Sequence, residues 1–188
     1  HQDVGQAVLH AGGGLRGVGL RAGWRGPQLR PGQQPAAWQG GLRGTDGVVV
    51  GASGLSDAIA ALVAAVPADG YLSIQAYLDR PGHHELEALR DLLAARTGRP
   101  VTFGWGPRFL HSTGQFHKGG PAVGVFLQLV AATHPDLPIP GRPFAFGSLI
   151  RAQADGDASV LAAHGRPVLS LALTNVDEGI SRVLAASS

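Results

Sequence analysis

Between Gly106 and Pro121 the chain places two histidines, two hydroxyls, an amide, an arginine and its only lysine within sixteen residues, interleaved with four glycines. The polar members are Arg108, His111, Ser112, Thr113, Gln115, His117 and Lys118, with Gly114 at the centre. A segment of this make-up suits the binding and processing of a sugar phosphate. Cations, hydroxyls and backbone N–H groups meet phosphate and sugar oxygens, and an imidazole moves protons near neutral pH. Glycines let the backbone come close to a ligand. A solvated linker between two apolar runs has no need of such groups.

The flanking text says what must hold this segment in place. Pro100 to Trp105 reads as a strand, and the apolar run from Val123 to Val130 reads as a helix opened by Pro121. The polar residues then form a long loop at the carboxyl end of a strand and against a helix N-terminus, the usual ligand position in an open α/β sheet. Upstream, Leu55, Ile59, Leu62, Val63 and Val66 fall on one helical face that Pro67 stops. Tyr71 to Leu78 is apolar enough on both sides for an interior strand, and Asp79-Arg80-Pro81-Gly82 is a turn. A helix over about 83–97 carries a leucine stripe, acids in its first turn and Gly98 at its end. Strand, helix and strand within about 35 residues make a βαβ unit.

Downstream, 134–141 is turn-rich, Phe144 to Phe146 suggests a short strand, and helices are expected over 147–154 and 158–163 around a break at Gly156. Pro167 to Leu173 reads as a last strand and Val176 to Ala186 as a last helix. This alternation predicts an α/β layered domain over residues 48–188. Residues 1–47 hold thirteen glycines and no sustained period, which predicts a disordered or non-native segment with Val48 to Gly51 as a strand remnant. The absence of methionine and the start at His1 suggest a fragment.

Charge argues against a nucleic-acid partner. Residues 1–47 carry a net +3, whereas residues 48–188 set ten bases against eleven acids, and phosphate-backbone binding needs a clustered basic face. No apolar run is long enough for a membrane span and no secretion signal is evident, so a cytoplasmic protein is expected. Without cysteine there is no disulfide or thiolate metal site, and no close histidine pair on a helix suggests another.

The sixteen residues, followed by Gly124-Val125-Phe126-Leu127-Gln128, resemble the glucose-6-phosphate isomerase region of transaldolase/glucose-6-phosphate isomerase fusion proteins. The resemblance runs from about Tyr71 through Leu137-Pro138-Ile139-Pro140-Gly141, Ala152-Gln153-Ala154-Asp155-Gly156-Asp157 and Gly165-Arg166 to the end. It implies a sugar isomerase (SIS) fold, a three-layer α/β/α sandwich with a parallel, Rossmann-like sheet, here incomplete. It also implies interconversion of glucose 6-phosphate and fructose 6-phosphate, a step of glycolysis and gluconeogenesis, without metal or cofactor. The expected partners are the sugar phosphate and either a second copy, as a homodimer, or the missing N-terminal half.

In that chemistry a histidine opens the ring and a glutamate moves a proton between C1 and C2 through a cis-enediol. The resemblance implies His117 for the first role and Glu85 for the second, with Arg108, His111, Ser112, Thr113, Gly114, Gln115 and Lys118 binding substrate. The chain departs from the family in its last helix, where a lysine is expected and Arg182 is nearest. Arg108 can equally tie the loop down, His111 can orient rather than react, Lys118 can be a surface residue, and Glu85 can be a first-turn acid favoured by the helix dipole. A non-catalytic SIS module that binds sugar phosphates is the alternative function.

Overall fold

From Leu55 onward apolar residues recur first every three to four positions and then every two, and the elements follow that change of period. The computed structural model describes residues 8–10, 42–44, 52–132 and 135–188. In chain order its elements are β1 (Val8–His10), β2 (Leu42–Gly44), α1 (Ala52–Ala64), β3 (Tyr71–Tyr77), α2 (Ala88–Thr97), β4 (Val101–Trp105), α3 (Thr113–Gly119), β5 (Gly124–Ala131), α4 (Phe146–Ala163), β6 (Val168–Leu173) and α5 (Val176–Ser187). Short 3-10 turns occupy His84–Glu87 and Arg108–His111.

The strands lie in the order β1-β6-β5-β3-β4, with β2 also on β6. Strands β6, β5, β3 and β4 are parallel, and β1 and β2 join β6 antiparallel. Because side chains alternate along a strand, the sheet has two unlike faces. Leu72, Ile74, Leu127, Leu129, Leu169 and Leu171 make one face wholly apolar, under α1, α2 and α5. The other carries Ser73, Gln75, Gln128 and Ser170 among Tyr77, Phe126 and Val130, and is covered by α3 and α4. The fold is therefore an α/β sandwich in three layers around a parallel sheet.

Three expectations need correction. The run from Val123 to Val130 falls in the central strand β5, not a helix, because a short, mostly apolar and partly β-branched run between Gly120-Pro121 and a turn suits a buried strand. The polar segment is accordingly a 3-10 turn followed by α3 rather than a loop, and Pro121 precedes a strand. Helix α4 runs without a break through Gly156, where packing outweighs the modest helix penalty of one glycine, and it begins at Phe146 where a strand end was expected. Ala145 makes only an isolated bridge to Pro138.

In the segment 1–47 no element was expected, yet β1 and β2 pair with the edge strand β6, whose unpaired backbone groups accept a partner without any hydrophobic period. The remaining residues of that segment, Val48 to Gly51, and His134 lie outside the described residues.

Candidate functional site

The carboxyl ends of β3 and β4 open on a shallow cleft of about 280 Å³, lined by Arg80, Trp105, Arg108, Phe109 and Ser112. Its walls follow from the two crossovers. Arg80 leaves β3 in the turn before α2, and Arg108 to Ser112 leave β4 in the turn before α3. The Trp105 Nε1–H donates to Glu87 Oε1 at 2.7 Å, and Arg80 Nε lies 3.8 Å from the same oxygen, so this carboxylate braces one wall. Phe109 is buried edge-on against Tyr77 at 5.6 Å between ring centres. The Ser112 hydroxyl donates to the Phe109 carbonyl at 3.3 Å, and the Gln115 amide donates to the Leu110 carbonyl at 2.8 Å. Arg108, His111, Ser112, Thr113 and Gln115 are all exposed around this rim.

Two glycines that suggested ligand approach serve internal packing. A Cβ on Gly106 would stand 2.6 Å from the Tyr77 ring, and one on Gly114 would stand 2.9 Å from the Phe109 carbonyl oxygen. Neither position admits a side chain without displacing its neighbour.

His117 and Lys118 lie elsewhere. Both sit near the end of α3, which returns over the mixed face of the sheet toward the amino ends of the strands. The His117 ring is buried, 5.8 Å from the Tyr71 ring and 5.2 Å from that of Phe126. Burial pushes its pKa below the ordinary histidine value, against the pull of Asp157 and with the help of Lys118 and Arg166. Lys118 Nζ donates to Asp157 Oδ1 at 3.0 Å, and the Asp157 side chain is only 2% exposed. Burial likewise raises the Tyr77 hydroxyl, and Asp157 adds to the rise.

Glu85 lies in the 3-10 turn after β3 and is 49% exposed, with His83 Nδ1 at 3.8 Å. Its neighbours Leu86, Leu89 and Leu93 pack on the apolar face of the sheet. His117 packs on the opposite face, toward the amino end of β3. The expected histidine and glutamate are thus on different layers and at different ends of the strands, and the chain does not join them in one centre. It does bring Arg108, His111, Ser112 and Thr113 to the carboxyl edge that Glu85 also borders. Arg182, in the last helix, bonds Glu178 at 2.6 Å.

Arg80, Trp105 and Phe109 line the cleft, with Glu87 behind Trp105, and none of the four was among the residues expected at the site. The signal for Arg80 was present, since a turn directly after an interior strand lies at the ligand-binding edge. Asp157 gave none, because its partner is 39 residues away. Among the described residues no group of three or more histidines and carboxylates is arranged to hold a metal ion, and no helix is long and apolar enough to cross a membrane.

Sheet order, layering and a cleft at the carboxyl edge define the chain as a Rossmann-like α/β domain. In solved structures that fold is similar to a hypothetical protein, TT0462, from Thermus thermophilus, at a TM-score of 0.61 and 18% identity. The match covers 71% of this chain and 38% of that one, so the chain spans well under half the length of its structural neighbour. No family model matches the chain and no curated protein is significantly similar to it.

Proposed function

We propose that this chain is a sugar-phosphate aldose–ketose isomerase domain, interconverting glucose 6-phosphate and fructose 6-phosphate as part of a larger cytoplasmic enzyme or a homodimer. The observation that carries the proposal is the cleft in which Arg80, Arg108 and Ser112 converge beside Trp105. Two guanidinium groups and a hydroxyl are the donors a phosphate needs. An indole face suits the apolar face of a sugar. The resemblance of residues 106–121 to the isomerase region supports the same reading.

In this reading Glu85 takes the proton from C2 of the open-chain aldose and returns it to C1, passing through the enediol. His111, exposed on the same rim, assists ring opening in place of the buried His117. A second copy or a further stretch of protein covers Glu85, since a general base needs partial burial to poise its pKa.

The half-exposed Glu85, and the engagement of Glu87 by Trp105, favour one second reading, a module that binds sugar phosphates without converting them. A coupled assay of fructose 6-phosphate conversion by the full-length protein, with 6-phosphogluconate binding measured alongside, decides. Turnover that Glu85→Gln abolishes supports the isomerase. Binding without turnover supports the module, and neither activity in folded protein rejects both.

A further inference from the structure

The mixed face of the sheet holds a concentration of buried polar atoms without a protein partner. Both polar atoms of the Gln75 amide, Tyr77 Oη, His117 Nδ1 and Asp157 Oδ2 are in this state, and Arg166 Nε joins them. Strand register places them together. Gln75 lies beside Gln128 in β5 and shares its face of β3 with Ser73 and Tyr77. The Gln128 amide donates to the Ala154 carbonyl of α4 at 2.9 Å and accepts from the Ser170 hydroxyl at 3.0 Å, so it is turned to other partners and makes no bond to Gln75. Asp157 stands one turn along α4 from Ala154, close enough to Tyr77 and His117 to shift both. These side chains therefore lie in one layer of the interior, between β3 and β5 on one side and α3 and α4 on the other.

We infer that this layer encloses a chamber that is an internal hydration site, in which ordered water molecules bridge Gln75 to Tyr77, His117 and Asp157. The chemistry of the lining selects the occupant. Buried polar groups in folded proteins are almost always hydrogen-bonded, and water bridges those that side chains cannot reach. The free groups include donors and acceptors together: amide N–H and C=O, a hydroxyl, an imidazole nitrogen and a carboxylate oxygen. A cation is opposed by Lys118, which already holds the only carboxylate, and by Arg166. An anion is opposed by Asp157. A neutral molecule that both donates and accepts fits all of them. The water layer then seats α3 on the sheet, which gives the buried His117 and the partly buried Lys118 a docking role independent of the cleft.

A crystal structure at a resolution that shows solvent tests this directly. The expected result is ordered water within about 2.7–3.2 Å of the Gln75 amide and of at least one of Tyr77 Oη, His117 Nδ1 and Asp157 Oδ2. Direct bonds among those side chains with no solvent between them overturn the proposal. The variant Gln75→Leu gives an independent reading. A hydrated chamber loses partners for its waters, and Tm falls by about 2–4 °C for roughly 1 kcal/mol in a chain of this size. A dry chamber is relieved of two unpaired buried atoms, so a Tm at or above wild type overturns the proposal. Should the variant not fold, magnetisation transfer from long-lived water to the Gln75 side-chain amide protons of the wild-type chain decides, and its absence counts against the site.

Discussion

A carboxylate with 2% of its side chain exposed is costly to bury unless a cation meets it, and Asp157 has Lys118 at 3.0 Å. Lys118→Met should strand that charge and destabilise the fold by about 3–5 kcal/mol, read as a lower urea midpoint. The double variant Lys118→Met with Asp157→Leu should recover most of the loss, because replacing both members of a buried pair by apolar groups is often neutral. No recovery would mean that Asp157 serves a partner other than Lys118. His117 adds a pH dependence of definite sign. Facing Tyr71 from β3, Asp157 from α4, and Lys118 and Arg166, its imidazole titrates below the ordinary value because it is buried. The unfolded chain then binds the proton more readily than the folded one. The neutral ring's contribution is complete above the ordinary histidine pKa of about 6.5 and is lost as the pH falls below it. Urea midpoints between pH 8 and 5 should drop more steeply for wild type than for His117→Gln, and equal slopes would remove His117 as the cause.

Helices α2 and α5 show local signals that the fold obeys. Gly98 closes α2 at φ 61°, a left-handed conformation that glycine adopts freely. At the start of α5 the Asn175 side chain accepts from the Glu178 backbone N–H at 3.2 Å, and Asp177 and Glu178 occupy the first turn. Asn175→Ala should cost about 1 kcal/mol in chemical denaturation, whereas Asn175→Ser should cost little. Helix α4 and strand β5 obeyed no such local rule. Gly156 looked like a break, yet Ala154, Ala158 and Leu161 bury one continuous stripe through it. The run 123–130 has no polar residue to mark its period except Gln128, and only its position between β3 and β6 makes it a strand.

The sugar-phosphate binding proposed for the carboxyl edge would act on the molecule as one unit, since anything that binds the folded state alone stabilises it by mass action. At a hundredfold excess of 6-phosphogluconate over its Kd, unfolding should be harder by about 2.7 kcal/mol, seen as a raised Tm. Arg108→Ala should shrink that rise at fixed ligand concentration, and Lys118→Ala, which sits on the mixed face under α4, should leave it intact although its own Tm is lower. A ligand-induced rise lost with Lys118 and kept without Arg108 would move the binding site from the cleft to the α3–α4 side.

Composition and period were enough for the α/β class, for strands over 71–78 and 167–173 that the structure shortens by one residue each, and for the helices ending at Gly98 and beginning at Val176. All of these depend on near neighbours: which residues are apolar, at what spacing, and where glycine ends a run. What packs against what depends on strand order and on where helices cross. Only the tertiary structure turns His117 inward against Tyr71 and Phe126, ties Lys118 to an aspartate 39 residues on, and sets Glu85 on the other layer of the sheet. The same segment that reads as one polar loop is thereby divided, its first half lining a cleft and its second half closing the core.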